Sequence, residues 1–451
     1  MNTLYLNKII KTYFIFGFVL YFFFLVRNDF NMLAYDFTNI IVFLLYYSLL
    51  HFTIKNKNIL FNVKNLKISV FLYSCVITIM FFVVSIYYNG DTFCFSPPDS
   101  YTYYDFGIKN YLTSFDQILY HLEARGWSME DWGMPLFITY VFKIINSKEV
   151  VNFIYILLST FSSASIYRIS KNFMSIKYAY VCAIAFYCSS IMMYLNSILL
   201  KEPLFLFIVL SSFDFFYKFV STHKIKNLIV SIFLSLLILF FRPAVLIILL
   251  TSYALYFVFN KNKKIKYVAI SLVVVGLLYS STLIYEIYLE YVRGGDVEMV
   301  QDFIYDNRKE TLESYSKTFM FFTNVISSIA GPFPYFTYAE NNPYNPFYSS
   351  GLLFKLLLVP FFYLGFLYNI KNMNFNIFPL YAFFIISSFF LMLLLDALEI
   401  RKSVIHLPCF YIASFAYLDQ CDKNRIKRNI KTILRYSFIL MFFVALLWNF
   451  K

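Results

Sequence analysis

Residues 68–87 read ISVFLYSCVITIMFFVVSIY, twenty consecutive positions without a charged side chain or a proline. A helix of that length extends about 30 Å, which matches the hydrocarbon core of a bilayer. Lipid offers no hydrogen-bond partner to backbone N–H and C=O groups, so such a run must pair them internally as a helix. The stretch therefore predicts a membrane-spanning helix.

Comparable apolar runs recur along the whole chain. The 451 residues are 60% hydrophobic and 14% charged, with 58 Phe and 41 Tyr, which excludes an ordinary water-soluble core. We predict one all-α, polytopic integral membrane domain, residues 1–451, with about 12–13 transmembrane helices. No small-residue cleavage site follows the first run, so we interpret it as a retained span. The predicted spans are residues 12–26, 37–54, 68–87, 149–167, 178–196, 203–218, 227–241, 243–260, 267–286, 351–370, 376–395, 405–418 and 433–449.

The charges of the loops predict the orientation. Of the 38 Lys and Arg residues, 23 lie in loops that all become cytoplasmic if the N-terminus is cytoplasmic. Only three of the 25 acidic residues, Asp214, Asp419 and Asp422, fall on that side. We therefore predict a multi-pass membrane protein with a cytoplasmic N-terminus and two long external loops, residues 88–148 and 287–350. The net charge of +13 is then an orientation signal that requires no nucleic-acid partner.

Isolated charges interrupt the apolar sequence at a few positions, and the predicted topology places all of them at external helix ends. Ionisable residues in membrane-embedded segments are costly and are functional candidates by default. Four of these charges are basic and could together bind a polyanion such as a pyrophosphate; they are Lys201, Arg242, Arg401 and Lys402. Glu202 would orient Lys201 as an ion-pair partner. The alternatives are that each base extends to the lipid head groups and that the Lys201–Glu202 pair is merely self-neutralising. These predicted substrate-binding positions are Lys201, Glu202, Arg242, Arg401 and Lys402.

The loop at residues 88–148 contains the candidate catalytic carboxylates. Pro97 and Pro98 precede Asp99, and prolines favour a helix start, where the helix dipole stabilises a negative charge. We predict Asp99 as a general base, with Asp105 two turns later as its catalytic companion. An Asp at an N-cap can instead act only as a cap, worth about 1 kcal/mol. Residues 135–145 are apolar but too few to span, which predicts an interfacial or re-entrant helix.

Other kinds of chemistry find little support in the sequence. The six Cys and four His residues are scattered and indicate neither a disulfide framework nor a metal site. The chain contains no Walker loop, no GxGxxG and no GxSxG motif. We therefore predict no metal and no cofactor.

Several motifs resemble those of two groups of bacterial membrane enzymes. The run Asp99-Ser100-x-x-Tyr103 with Gly133-x-Pro135 downstream resembles the start of the C-superfamily integral-membrane glycosyltransferases. That resemblance implies a catalytic aspartate in an external loop and polyprenyl-phosphate-linked sugars as substrates. The loop here follows the third predicted span, whereas in that superfamily it usually follows the first.

A second resemblance is to the Wzy-type polymerases of O-antigen and capsule repeat units. It implies polymerisation of polyprenyl-pyrophosphate-linked oligosaccharides at the external face of the inner membrane, with membrane lipid and a chain-length regulator as partners. External-loop arginines are typical of that family, and Arg125, as a substrate-binding residue, Arg242, Arg293 and Arg401 match them loosely. The motifs that carry this resemblance are Asn196-Ser197-Ile198-Leu199-Leu200-Lys201-Glu202, Phe241-Arg242-Pro243, Gly331-Pro332-Phe333-Pro334 and Ile400-Arg401-Lys402 with Pro408.

Two other functions remain open from the sequence. A transferase that adds a single sugar to a glycan would need the same residues as a polymerase. A flippase for lipid-linked oligosaccharides would also be polytopic, although we expect paired halves and charges in the middle of spans for that class. The chain has no internal repeat, and its isolated charges lie at the predicted helix ends.

Overall fold

The computed structural model describes residues 3–26, 33–56, 59–94, 96–258, 267, 329–337, 344–394, 400–424 and 428–449. Every regular element within these ranges is an α-helix or a short 3-10 turn, which confirms the all-α prediction. In chain order, the α-helices are α1 (Leu4–Leu25), α2 (Leu33–Lys55), α3 (Val63–Asn89), α4 (Pro98–Asn110), α5 (Phe115–Ala124), α6 (Gly133–Ile144), α7 (Lys148–Ser170), α8 (Ile176–Tyr187), α9 (Ser190–Ser197), α10 (Glu202–Thr222), α11 (Ile225–Leu236), α12 (Pro243–Val258), α13 (Ser349–Lys371), α14 (Phe378–Leu394), α15 (Ile400–Ser403), α16 (Leu407–Asn424) and α17 (Arg428–Trp448).

Residues 68–87 form the centre of α3. Asn62 caps this helix, because its side chain accepts a hydrogen bond from the Asn65 backbone N–H at 2.8 Å. Gly90 ends it in the left-handed conformation at φ 75°, which glycine adopts without steric cost. The helix thus covers the whole predicted span and begins and ends at residues suited to those positions.

The described residues form a multi-pass helical membrane protein. Six helices are long and apolar enough to cross a membrane, and α8 with α9, which meet at a 47° bend, could provide a seventh. Within the described residues, the other predicted spans coincide with shorter apolar helices or with the more polar α16. The predicted span 267–286 lies outside the described residues.

The bundle is organised around buried helix pairs. The helix α13 packs against α16, while α7 packs against α3, α8 and α10. Nearly every residue of α8 and α9 is buried, and so is most of α13.

Three helices of the predicted loop 88–148 form a unit that we call the cap, residues 98–144. Phe106, Ile118 and Leu122 form one small core of the cap. A second core joins Tyr103 and Ile138 to residues of the bundle, including Tyr155 of α7. The helix α6 confirms the short apolar helix predicted at residues 135–145. The cap is thus packed onto one end of the bundle, which we call the cap end.

Candidate functional site

A polar cavity of about 250 Å³ lies between the cap and the bundle. The close approach of the two parts depends on Gly133, where a Cβ would lie 2.6 Å from the Phe240 carbonyl oxygen. Five of the eight predicted site residues line it together, namely Asp99, Lys201, Glu202, Arg242 and Arg401. The lining residues are Asp99, Thr102, Tyr103, Trp127, Asp131, Leu200, Lys201, Glu202, Arg242 and Arg401.

Asp99 meets Arg401 across the cavity. The Arg401 Nη1 donates to Asp99 Oδ2 at 2.9 Å, although 302 residues separate the two in the chain. The N-cap of α4 is Pro97, and no side chain caps that helix end. Asp99 instead follows Pro98 in the first turn, so the interpretation of Asp99 as a helix cap is wrong. Its carboxylate is available for an interaction with a distant cation and remains 54% exposed.

Lys201 and Glu202 do not pair with each other, contrary to the prediction. Lys201 Nζ lies 3.1 Å from Asp131 Oδ1 and 3.3 Å from the Phe241 carbonyl oxygen. Glu202 Oε1 lies 3.7 Å from Arg242 Nη2. Consecutive residues at a helix start point about 100° apart around the axis, so each finds a partner on a different neighbour.

Glu202 is the most enclosed charge of the cavity, with its side chain only 4% exposed. Among the described residues its Oε2 has no hydrogen-bond partner. A buried polar atom left unpaired costs about 1–3 kcal/mol, and such exceptions are candidates for a bound water or ligand group. The chain therefore keeps an acceptor beside the Arg242 guanidinium at a stability cost.

The charges that line the cavity are balanced. Lys201, Arg242 and Arg401 supply three positive charges, and Asp99, Asp131 and Glu202 supply three negative ones. The prediction of a basic cluster that simply awaits a polyanion is therefore incomplete, because every base has a carboxylate partner at 3.7 Å or less. An anionic ligand would have to displace carboxylates, and those from the cap are the more exposed.

The segment that presents Lys201 and Glu202 is held by side chains of α7. The helix α9 ends at Ser197 and α10 begins at Glu202, so carbonyl groups at the end of α9 and in the non-helical segment that follows lack helical partners. Tyr155 donates to the Leu200 carbonyl at 2.7 Å, and Asn152 donates to the Asn196 carbonyl at 2.8 Å. Lys148 Nζ donates to the Ser197 carbonyl at 3.3 Å. These bonds orient the backbone immediately before the two charged residues.

Asp105 and Arg125 do not line the cavity. Arg125 Nη2 lies 2.9 Å from Asp105 Oδ2, and Lys109 Nζ lies 2.8 Å from Asp105 Oδ1. Hydrogen bonds from Lys109 and Arg125 hold the pKa of Asp105 below its usual value. Six residues correspond to about 600° of helix rotation, so Asp105 points roughly 120° away from Asp99. The expectation that Asp105 accompanies Asp99 on one face is wrong, because the two are not in phase on α4.

Lys402 belongs to α15, but its side chain lies outside the described part of the chain. Arg293 also lies outside it. The structure therefore places neither of these predicted side chains.

The sequence analysis did not single out several residues that the structure places at the site. Asp131 is the last residue of a 3-10 turn and lies beside Lys201, while Trp127 lines the same cavity. Tyr103, which the sequence indicated only as part of a motif, is buried and also lines the cavity. Its burial, together with the nearby Asp99 and Glu202 carboxylates, raises its pKa. The signal that could have found Asp131 and Trp127 is their position between Gly126 and Gly133, in the loop at residues 88–148 that contains the candidate catalytic carboxylates.

Lys355 is a further buried charge, and the sequence analysis assigned it no role. It lies within α13, and its Nζ donates to the carbonyl groups of Ala330 and Gly331. It also lies 5.2 Å from the centre of the Phe410 ring. These contacts tie the Gly331-Pro332 motif to the bundle.

Comparisons with protein-family models, with curated proteins and with solved structures gave no match to this chain. Within the residues that the structure describes, no group of three or more His, Cys, Asp or Glu side chains is arranged to hold a metal ion. The class that fold and site define is thus a multi-pass helical membrane protein with a polar, charge-balanced cavity at one end of its bundle.

Proposed function

We propose that the protein is a membrane glycosyltransferase that polymerises polyprenyl-pyrophosphate-linked oligosaccharide repeat units into a surface polysaccharide such as O antigen. The observation that supports this most is the meeting of Asp99 with Lys201, Arg242 and Arg401 in one cavity. These residues come from four separate segments of the chain. In this proposal the cap end is the external face of the bacterial inner membrane, as the loop charges predict.

The proposed reaction uses the two kinds of charge in different ways. Asp99 accepts the proton of an acceptor sugar hydroxyl, and the resulting oxygen nucleophile attacks the anomeric carbon of the donor sugar. The bond from that carbon to the pyrophosphate oxygen breaks, and the lipid pyrophosphate leaves with the bonding electrons. Arg242, Arg401 and Lys201 stabilise its growing negative charge.

The geometry supports a division of labour between the carboxylates. Asp99 is half-exposed and can exchange its contact with Arg401 for contacts with substrate. Glu202 is buried and keeps Arg242 oriented toward the cavity. Arg is suited to this role because its planar fork binds two phosphate oxygens at once.

The test compares residues of the same type on the same cap. Asp99→Asn should lower polymer formation by a factor on the order of 10², the usual scale for loss of a general base. Asp105→Asn is the matched control, because Asp105 lies on the same helix and also pairs with an arginine, but does not line the cavity. Gel analysis of surface glycan from a deletion strain complemented with each variant provides the measurement.

Arg401→Ala and Arg125→Ala form a second matched pair in the same assay. We expect Arg401→Ala to abolish long chains while the amount of protein in the membrane is unchanged, because its partner Asp99 is half-exposed and remains hydrated. Arg125→Ala should keep normal chains. Wild-type chain lengths in both Asp99→Asn and Arg401→Ala would contradict the proposal.

The same gels distinguish polymerisation from the addition of single sugars, which needs the same chemistry. A strain that lacks a polymerase carries single repeat units on its lipid core. A strain that lacks a side-branch transferase carries full-length chains of altered composition.

A further inference from the structure

The cap has an apolar surface that is largely exposed in the described chain. Leu112 and Ile144 are its most exposed members, at 82% and 84%. Lys143 Nζ donates to the Thr113 carbonyl at 2.9 Å, which brings the end of α6 against the turn between α4 and α5. We call this surface the cap patch, and it comprises Leu112, Phe115, Tyr140, Ile144 and Ile145.

Burial within the described residues does not account for the composition of α6. One side of this helix, with Met134, Ile138 and Phe142, packs into the core that joins the cap to the bundle. The other side presents Tyr140 and Ile144, one turn apart, to the surroundings. A helix that is apolar on both sides has an apolar environment on both, and twelve residues are too few to cross a bilayer.

The position of the cap patch indicates what covers it. Ile145 lies three residues before Lys148, the first residue of α7, and α7 is one of the six helices suited to cross the membrane. The edge of the patch carries Lys143, whose Nζ lies 4.9 Å from the centre of the Tyr140 ring. A Lys and a Tyr beside exposed aliphatic side chains are typical of segments that lie at the membrane interface.

We infer that the cap patch inserts into the lipid leaflet at the cap end of the bundle. A surface helix of this kind lies in the plane of the interface with its apolar side about 5–10 Å deep. The cap is then held by lipid on one side and by the bundle on the other, with the polar cavity between them. This inference depends on the cap patch alone and does not require the proposed glycosyltransferase activity.

The experiment uses the full-length protein in lipid nanodiscs. Ile144→Cys and, independently, Leu112→Cys are labelled with a small environment-sensitive fluorophore. Glu123→Cys, on an exposed position of α5, is the matched control. The native cysteines in the described residues are buried or half-buried. The wild-type protein, treated with the same fluorophore, measures the background labelling of these cysteines.

Two quenchers then report the surroundings of each label. We expect phosphatidylcholine with brominated acyl chains to quench the labels at 144 and 112, and aqueous iodide to leave them bright. The label at 123 should show the reverse. Quenching of 144 and 112 by iodide to the extent seen at 123 would overturn the inference, since the patch would then face water. Protection from both quenchers would also overturn it, since a second copy of the chain or another protein would then cover the patch.

Discussion

At the cap end, Asp99 and Asp131 keep 54% and 44% of their side chains exposed, whereas Asp214 and Asp419, toward the other end of the bundle, keep 5% and 1%. All four are paired with a basic residue. The cap-end pairs join the cap to the bundle across a cavity. At the opposite end, Arg168 and Asp214 join α7 directly to α10, whereas Asp419 pairs with Lys423 within α16 and contacts the segment before α8 through Ser175.

The three acidic residues that the sequence analysis placed on the basic side of the membrane all connect helices. Asp214 of α10 accepts from Arg168 Nε of α7 at 2.8 Å. Asp419 of α16 accepts from both the backbone N–H and the hydroxyl of Ser175, just before α8, at 2.8 and 2.9 Å. Asp422 accepts from the backbone N–H of Tyr5, at the start of α1, at 2.8 Å, and from the Tyr178 hydroxyl.

The difference between the two ends separates stability from function. A buried carboxylate with several donors stabilises one arrangement of helices and cannot exchange partners cheaply. A half-exposed carboxylate with one cationic partner contributes little to stability and can be displaced by a ligand. We therefore expect substitutions at the opposite end to affect folding and those at the cap end to affect ligand binding.

The largest expected effect is the all-or-none activity of a fused reporter, which tests which end of the bundle faces the cytoplasm. A reporter that is active only outside the cytoplasm should be active when fused after residue 110 or residue 320. It should be silent when fused after residue 263, because the basic loop there is predicted to be cytoplasmic. The reverse pattern would assign the cavity to the cytoplasmic face and would contradict the proposed function.

A second test compares one carboxylate from each end. Asp419→Ala should lower the free energy of unfolding by roughly 3 kcal/mol, since Ser175 loses both its bonds to a buried charged acceptor. Asp131→Ala should lower it by about 1 kcal/mol or less, because that carboxylate is half-exposed. Thermal unfolding in detergent gives both values. If both variants lower the free energy of unfolding equally, the proposed difference in stability between the carboxylates of the two ends is contradicted.

A third test concerns the bonds that hold the backbone before Lys201. Tyr155→Phe and Tyr167→Phe each remove one 2.7 Å hydrogen bond from a tyrosine of α7 to a carbonyl group. Each should cost about 1 kcal/mol of stability. Only Tyr155→Phe should weaken pyrophosphate binding, by about fivefold for 1 kcal/mol, because only its carbonyl partner, Leu200, lies at the cavity.

Titration calorimetry with inorganic pyrophosphate measures this effect on the purified protein. If the wild type binds pyrophosphate and both variants bind it equally well, Tyr155 has no positioning role. If the wild type does not bind it, the anion site itself is contradicted.

The smallest effect is the pH dependence that Asp105 confers. Hydrogen bonds from Lys109 and Arg125 lower its pKa in the folded protein. The stabilisation that the ionised Asp105 carboxylate provides is therefore fully present above the pKa of Asp in the unfolded chain, about 4. It is lost as the pH falls through the lower pKa that Asp105 has in the folded protein. Asp105→Asn should cost about 0.5 kcal/mol at pH 7 and less as the pH drops below 4. A cost that grows on acidification would contradict this assignment.

The candidate site could be predicted from the sequence only in part. Isolated charges in apolar surroundings identified Lys201, Glu202, Arg242 and Arg401, because charges are rare and costly there. Their pairing could not be predicted: neighbours in sequence suggested Lys201 with Glu202, but helical geometry directs them to Asp131 and Arg242. Asp131 itself lies in a polar loop, where a carboxylate is ordinary, so only its position between Gly126 and Gly133 could have indicated it.

Hydropathy and loop charge by themselves determined the all-α class, the positions of the long apolar helices and the set of charged candidates. They suffice because the cost of placing a side chain in lipid depends mainly on that side chain and its depth. Only the tertiary structure decided that Asp99 meets Arg401 and that the cavity is charge-balanced. Such contacts join residues as far as 302 positions apart, and they depend on how helices pack and rotate, which no local pattern encodes.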